Sequence, residues 1–394
     1  MSTRRSASPD WSLVDLLLSS ITFNNRIKLE RLLQEKFSFS FVLPTNQGRT
    51  AIILAIKALG LKTGDKVALP AIICPRVIKT LLAAQCRPVI MDVEPDMHMK
   101  VSEVFDNEND LKCVIVPHLY GMSAPIGEWQ AWARLNGIRL IDDAAQSVGV
   151  AHNGQWLGTF GDAGILSFGR SKNLSLLRGG AMVTSEEKLV EKAKNYPLPR
   201  EPVFSVIRRI ISGTLNDQFR WTLQKTASLS KHIPINSGSD SKSRTGYIAL
   251  LSEVFQLTNT EAGLVCLALK RMHNILQERR SAAKALRNSL RQFDYLKPIG
   301  PDDAPSRKIP IRVTNRFNLD KILRHLEIYN VNAERIYKPL HLREPFYQYA
   351  NRSLPVAEFC WQNTLLLPNP VFQSNKSMDS IIYAFEHIPK ASST

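Results

Sequence analysis

Lys172 and Asp143 are the residues of this sequence whose types and spacing point most directly to chemistry. Asp143 closes an apolar run, and Lys172 follows it by about thirty residues, just after a second apolar run. A lysine amine can hold an aldehyde as a Schiff base, and a carboxylate can keep a pyridine nitrogen protonated so that the ring accepts electrons. Together they predict a pyridoxal 5'-phosphate site in which Lys172 is the catalytic residue.

Each residue, taken singly, has a simpler interpretation. A lone lysine is usually a solvated surface group, and a lone aspartate after a strand is usually a turn residue. The apolar runs 138–141 and 165–168 favour the functional interpretation, because parallel strands bring their carboxyl ends to one edge of a sheet. Asp142 and Asp143 are adjacent on the first run, so their side chains should point to opposite faces, and no metal site is expected.

Short apolar runs of strand length alternate with helical patterns from about residue 26 to residue 195. The predicted strands are 67–69, 88–93, 114–116, 138–141, 165–168 and 181–184. The predicted helices are 27–37, 49–59, 125–135, 185–194 and, further on, 203–215, 219–229 and 259–286. This alternation predicts an α/β fold, in which a mostly parallel central sheet is sandwiched by helices and a small C-terminal α+β domain follows.

The predicted domain organisation has three parts: an N-terminal arm or helix at 1–25, a large cofactor-binding domain at 26–280 and the small domain at 281–394. A basic stretch punctuated by prolines, 197–245, interrupts the large domain. Its apolar residues beside Arg208 suit contact with an anionic membrane, or cover for a lipid-linked or unusually large substrate. A dimer contact or a folded lid is the alternative.

A second group of residues suits a phosphate. Gly48 begins a predicted helix and lets the backbone approach an anion closely, so the amides of Arg49 and Thr50 would donate to it. The hydroxyl of Ser167, five residues before Lys172, would donate to the same phosphate. An ordinary loop and helix cap is the alternative.

The composition of the chain limits the classes of partner that it is expected to bind. The chain has 394 residues, and 51 Lys and Arg against 35 Asp and Glu give a formal net charge of +16, which favours anionic small molecules or a membrane surface. No nucleic-acid-binding signature is present, so no nucleic acid partner is expected. The five cysteines are scattered, and neither a signal peptide nor a transmembrane run is evident. We therefore expect a cytoplasmic protein, with 197–245 as the segment suited to peripheral contact at the inner membrane face.

Several segments resemble the sugar aminotransferases of the DegT/StrS type, which belong to the fold type I, aspartate aminotransferase-like, pyridoxal phosphate enzymes. The likeness covers most of the chain, and its motifs keep the family's order and spacing. The matching segments are GRTA at 48–51, GDKVALP at 64–70, PVIMDVEP at 88–95, PHLYG at 117–121, DAAQ at 143–146, GDAG at 161–164, SF at 167–168, KNL at 172–174 and KPLHL at 338–342.

The resemblance implies a role for each matched residue. Lys172 would carry the cofactor and later move protons, Asp143 would pair with the pyridinium, and Gln146 would hydrogen-bond the ring oxygen. The residues implied at the phosphate are Gly48, Arg49, Thr50 and Ser167. The residues expected near the substrate, each with ordinary packing as the alternative, are His118, Tyr120, Tyr337 and His341.

The implied reaction is a transamination from an amino acid, by family habit glutamate, to a keto-sugar usually carried on a nucleoside diphosphate, in polysaccharide or secondary-metabolite synthesis. The implied assembly is a homodimer with shared active sites. Related sugar dehydratases have histidine in place of the lysine, so Lys172 favours transamination. The alternatives are a dehydratase, an epimerase, a transaminase of non-sugar ketones, and a non-catalytic regulatory or membrane-associated relative.

The sequence departs from the family pattern within the predicted site. Cys74 lies where the family often stacks an aromatic ring on the cofactor, so this thiol or a neighbouring isoleucine is expected there. Arg178 replaces a family glutamate shortly after the lysine. Gln256 or Asn259 is expected to supply the contact that a partner subunit makes to the phosphate.

Overall fold

The computed structural model describes residues 10–104, 110–214, 251–314, 318–350, 352–372 and 377–388. Residues 1–9 of the predicted arm and residues 215–245 of the predicted insertion lie outside this range. The predicted helix at 219–229 therefore also lies outside the described residues.

A seven-stranded sheet forms the centre of the larger part of the molecule. In chain order its strands are β1 (Phe41–Thr45), β2 (Lys66–Pro70), β3 (Arg87–Met91), β4 (Leu111–Pro117), β5 (Arg139–Asp143), β8 (Ala163–Ser167) and β9 (Gly180–Thr184), with a two-stranded hairpin, β6 (Ala151–His152) and β7 (Gln155–Trp156), between β5 and β8. Their spatial order is β1-β9-β8-β5-β4-β2-β3. β9 is antiparallel to both its neighbours, and the other five neighbouring strands are parallel.

The predicted strands are confirmed, and β1 is an addition. All five residues of β8 are buried, as expected for a strand covered by helices on both faces. β1 was missed because it is a short edge strand with a proline at position 44, and a proline weakens the strand pattern although an edge strand accommodates it.

Helices cover both faces of this sheet. They are α1 (Leu13–Ile21), α2 (Asn25–Phe37), α3 (Gly48–Leu59), α4 (Pro75–Ala83), α5 (Ile126–Asn136), α6 (Glu187–Lys194), α7 (Val203–Thr214) and the long α8 (Asn259–Leu290). Eleven of the twelve residues of α3 are buried, so this helix crosses the core and fixes the position of its N-terminus. The predicted α/β fold is thus confirmed.

A four-stranded antiparallel sheet follows. Its order is β10 (Leu296–Pro298), β11 (Lys308–Val313), β13 (Thr364–Pro368) and β12 (Glu334–Arg335), and its helices are α9 (Leu319–Ile328), α10 (Pro355–Asn363) and α11 (Ser377–Glu386). Short 3-10 turns lie at Val101–Val104, Leu119–Gly121, Leu340–Leu342, Phe346–Tyr349 and Pro370–Phe372. The last turns of α8, from Ala283 onwards, pack into the second hydrophobic core of this part. The predicted boundary at 280/281 falls inside α8 and stays a prediction.

Helix α1 has an inverted amphipathic pattern. The residues that it buries against α8 are polar: Asp15 is hydrogen-bonded to Ser12 and Arg271, and Ser19 is almost fully buried. The residues on its outer face are large and apolar, namely Leu13, Val14, Leu17, Leu18 and Ile21.

The helices of the described part of the chain include none with the length and apolar character of a membrane span.

Candidate active site

The carboxyl ends of three neighbouring parallel strands open into a cleft of about 740 Å³. In the register of β4, β5 and β8, Pro117 pairs with Asp143, and Asp143 pairs with Ile165. Pairing at this edge therefore brings together segments that lie far apart in the sequence.

Asp143 and Lys172 both line this cleft, Asp143 from the end of β5 and Lys172 from the loop after β8. Asp143 is buried, and its Oδ1 accepts a hydrogen bond of 3.0 Å from the Ala145 amide. Burial raises the pKa of the Asp143 carboxyl, while the positive charge of Lys172 and the Ala145 hydrogen bond act in the opposite direction. Lys172 is thus near enough to influence the charge of Asp143, as the predicted pair requires.

The N-terminus of α3 lies against Ser167. A methyl group placed on Gly48 would lie 3.1 Å from Ser167 Cβ and 3.3 Å from Ser167 Oγ, so this close approach suits glycine. Gly48, Arg49 and Ser167 line the cleft. Thr50 lies behind them, and its amide donates to the Gln47 carbonyl at 3.0 Å. The structure therefore brings together three of the four residues predicted at the phosphate and uses Thr50 to shape the loop.

Gln146 and two tyrosines form another wall. Gln146 accepts a hydrogen bond of 3.4 Å from the Tyr120 amide and is also hydrogen-bonded to the Tyr337 side chain. The two tyrosine rings stack with 6.3 Å between their centroids. Burial raises the pKa of both hydroxyls well above the usual range, so both stay protonated. Gln146 and Tyr337 line the cleft, whereas Tyr120 lies behind them beside a smaller pocket of about 230 Å³.

The two histidines predicted near the substrate differ in their positions, because His118 lines the cleft and His341 does not. His118 is fully buried; its Nδ1 accepts a hydrogen bond of 3.0 Å from the Ala124 amide, so its Nε2 carries the proton and donates to Asp142 at 2.7 Å. His341 lies outside the cleft lining, with its Nε2 3.1 Å from Glu358 Oε1. Both ring nitrogens of His118 have partners within the chain, which is what the packing alternative requires, and the predicted contacts of the two histidines with the substrate stay predictions.

Cys74 lies at the wall of the cleft. It precedes α4 and lines the cleft together with Ile73. A thiol and an aliphatic side chain therefore form the wall at which the family often has an aromatic ring, and contact with the cofactor ring stays a prediction.

Gln256 and Asn259 lie away from the cleft of their own chain. Gln256 Oε1 accepts a hydrogen bond of 2.7 Å from Arg26, and Asn259 Oδ1 accepts one of 2.8 Å from the Asn25 amide. Both side chains hold the N-terminal helices against the start of α8. Their predicted contact with a partner's phosphate stays a prediction.

Sequence reasoning missed an ion-pair network along one rim of the cleft. The pairs are Arg49–Glu253, Arg178–Glu201 at 3.1 Å, Arg209–Glu201 and Arg209–Glu261 at 2.8 Å. Arg209 and Ser212 make α7 part of the cleft wall. The replacement at Arg178 was a usable signal, but nothing in the sequence pattern pointed to Glu201 or Glu253, because these ion pairs depend on how the segments pack.

A model of the DegT/DnrJ/EryC1/StrS aminotransferase family matches residues 18–386 of this chain. The chain belongs to this family. The resemblance seen in its motifs is therefore confirmed, and pyridoxal phosphate, on which the family depends, is its cofactor.

Known members of the family give context. The UDP-N-acetyl-3-dehydro-alpha-D-glucosamine 3-aminotransferase of Acidithiobacillus ferrooxidans is 34% identical over 147 residues, which are 37% of this chain and 40% of that protein. Across several such curated relatives, the matched segment spans 34% to 45% of their length.

Solved structures share the fold over nearly the whole chain. The aminotransferase TlmJ from Streptoalloteichus hindustanus superposes with a TM-score of 0.76 at 21% identity, covering 96% of each chain. The GDP-4-keto-6-deoxy-D-mannose-3-dehydratase of E. coli superposes with a TM-score of 0.74 at 17% identity, covering 97% of this chain and 98% of that one. The same fold therefore occurs in a protein named as an aminotransferase and in one named as a dehydratase.

The donor set of the cleft fits the family cofactor. Asp143 offers a buried carboxylate for the ring nitrogen, Lys172 offers an amine for the aldehyde, and the start of α3 beside Ser167 offers donors for the phosphate. The space beside Gly48 is narrow enough for a Cβ to crowd Ser167, as expected where backbone must approach a phosphate closely.

Cofactor affinity is expected to fall on acidification. Because the pKa of Asp143 is raised, the fall should begin at a higher pH than it would if Asp143 were exposed. Only the charged carboxylate favours a protonated ring nitrogen, and burial raises the pKa of Asp143, so the affinity is present above that raised pKa and is lost below it. Lys172, His118 and Asp142 are the other charged or titratable groups that influence this carboxyl. Absorbance titrations between about pH 4 and pH 8 should show a loss of up to about tenfold per pH unit.

The Asp143→Asn variant is the control for this pH dependence. It should bind weakly across the same range, without the slope of the wild type. An equal slope in both proteins would assign the titration to a different group.

Proposed function

We propose that this chain is a pyridoxal phosphate-dependent aminotransferase that moves an amino group from an amino acid, glutamate, to a keto-sugar carried on a nucleoside diphosphate. The observation that carries the proposal is the meeting of Lys172 and Asp143 in one cleft, beside the anion cradle of Gly48 and Ser167. The relative named as a UDP-sugar 3-aminotransferase supports the substrate class. The amino-sugar product would serve polysaccharide or secondary-metabolite synthesis.

The side chains of the cleft have separate tasks in this reaction. When bound, the cofactor supplies an electron sink for the carbanion that forms at the substrate carbon. The Lys172 amine takes a proton from one reacting carbon and returns it to the other. Asp143 holds the proton on the ring nitrogen, and its burial strengthens this interaction because the surroundings have a low dielectric constant.

The rim of the cleft suits an anionic substrate. Arg76 and Arg170 are exposed and line the cleft on different segments, and the formal net charge of the chain is +16. Diphosphates and the carboxylates of glutamate are attracted to such a rim and are well matched to guanidinium groups.

A two-stage assay tests the proposal. The purified holoenzyme is first mixed with glutamate, and the spectral change of the cofactor and the appearance of 2-oxoglutarate are measured. A panel of keto-sugar nucleotides is then added, and the products are identified by mass spectrometry. Amino-sugars that carry the glutamate nitrogen are expected. A deoxy product without nitrogen would identify a dehydratase instead, and no response to any amino donor would favour a non-catalytic relative.

We further propose that the chain forms a homodimer that covers the apolar outer face of α1. Among the described residues, nothing covers this face, although its side chains are large and apolar; Leu17, for example, is 67% exposed. α7 adds Val203, Phe204, Ile207 and Ile211 as exposed apolar residues, whereas Ile210 of the same predicted stripe packs against the core. Exposed large apolar side chains that lie together on one helix face often mark an interface.

The Leu17→Arg variant is expected to weaken dimerisation by at least about 100-fold, because a buried apolar contact would be replaced by an unpaired charge. Sedimentation velocity at several protein concentrations measures this change. Leu135→Arg is the matched control, since Leu135 is 86% exposed on α5, away from α1.

A monomeric wild type that floats with anionic liposomes would overturn the dimer proposal and favour the membrane contact predicted for 197–245. Unchanged dimerisation in Leu17→Arg would place the dimer contact on a different surface.

A further inference from the structure

Glu253 is held by the same loop that forms the anion cradle. Its carboxylate pairs with Arg49, and its backbone carbonyl accepts hydrogen bonds from the side chains of Asn46 at 2.9 Å and Gln47 at 3.1 Å. Three of the four consecutive residues 46–49 therefore contact Glu253. This glutamate lies on a segment about two hundred residues later in the chain.

Arg49 is placed to reach a second anion. It directly follows Gly48, whose Cβ position lies 3.3 Å from Ser167 Oγ, and both Arg49 and Glu253 line the cleft. The contacts of Arg49 with Gln47 and Glu253 both use Nη2. A guanidinium group presents five N–H donors in a planar fork, so a single arginine can serve more than one acceptor.

The two members of the ion pair differ in their freedom to move. The Arg49 side chain is 8% exposed, whereas that of Glu253 is 55% exposed. A phosphate bound in the cradle would lie near both, and would repel the carboxylate while attracting the guanidinium. The carboxylate can turn into water at small cost, but the buried guanidinium cannot.

We propose that Arg49 serves two anions in turn, the Glu253 carboxylate and the cofactor phosphate. Glu253 is then a competitor that sets the affinity for the phosphorylated cofactor and couples its binding to the docking of the segment around residue 253. This inference rests on the place of the cofactor phosphate and not on the proposed sugar substrate.

The test compares pyridoxal phosphate with pyridoxal, which has the same ring and aldehyde but no phosphate. Affinities are measured by absorbance titration of the full-length protein after removal of the cofactor. Glu253→Gln keeps an oxygen for Arg49 but removes the competing charge, so it is expected to bind pyridoxal phosphate about tenfold more tightly and pyridoxal equally well. Glu94→Gln, which removes a glutamate paired with Lys100, is the matched control and should change neither affinity.

A second variant tests whether Arg49 is the cation that both anions share. Arg49→Gln should weaken pyridoxal phosphate binding about tenfold, and adding Glu253→Gln to it should have no further effect, because the shared cation is gone. The proposal is overturned if Glu253→Gln binds pyridoxal phosphate equally or more weakly, or if it tightens pyridoxal binding to the same extent. Thermal unfolding of each variant checks that the fold is intact. Failure of the amino-transfer assay with these titrations unchanged would overturn only the proposed function.

Discussion

The Lys172→Ala variant should lose both the visible absorbance of the lysine-bound cofactor and amino transfer, the latter by more than about 10⁴-fold. Two roles disappear with one amine: the covalent anchor for the cofactor aldehyde and the group that carries the proton between the reacting carbons. The anion cradle of Gly48 and Ser167 does not depend on this amine, so noncovalent binding of the phosphorylated cofactor should persist.

Absorbance spectra and single-turnover rates with glutamate measure the two losses separately. Lys188→Ala is the matched control, because Lys188 is exposed on α6 and lies outside the cleft lining. A Lys172→Ala protein that keeps the visible band or a measurable transfer rate would place the anchoring amine on another lysine.

The Asp143→Asn variant is expected to transfer amino groups about 10³-fold more slowly, although it keeps its visible absorbance. Asparagine retains the shape of the side chain and the acceptor for the Ala145 amide, but it has no charge with which to hold the proton on the ring nitrogen. The electron sink is then weakened at the moment when the carbanion forms.

Asp142→Asn provides a contrast at the adjacent position. Asp142 accepts hydrogen bonds from the amides of Gly158 at 2.7 Å and Phe160 at 3.0 Å and also pairs with His118. Its loss should lower the free energy of unfolding by about 1–3 kcal/mol and leave the transfer rate of the folded protein within a few fold. The reverse outcome, a stable but inactive Asp142→Asn protein, would exchange the roles assigned to the two acids.

The sheet and the centre of the site were predictable from sequence, since both follow from local patterns. Apolar runs of strand length gave the strands, and the carboxyl ends of parallel strands meet at one edge, so Asp143 and Ser167 had to lie close together. The resemblance added Gln146, which strand periodicity alone does not indicate.

The remaining contacts depend on how distant segments pack. His118 has the same sequence context whether it faces substrate or Asp142, and only the tertiary structure shows that its nitrogens have partners. Glu253 reaches Arg49 after a separation of 204 residues, which no local periodicity can indicate. The exposed face of α1 could not be predicted for another reason. Its apolar spacing is typical of a helix that packs on a core, yet its two buried residues are Asp15 and Ser19.

The buried pair of His118 and Asp142 has a consequence for how the chain finds its fold. If β5 slipped by one residue, Asp142 would take the place of Asp143 and would still present an acid to the cleft, but Ile141 would then face His118. The buried imidazole would be left without its acceptor, at a cost of about 1–3 kcal/mol. The His118–Asp142 pair therefore stabilises the native register of β5, the strand that carries Asp143, over a shifted register in which the cleft would still contain an acid.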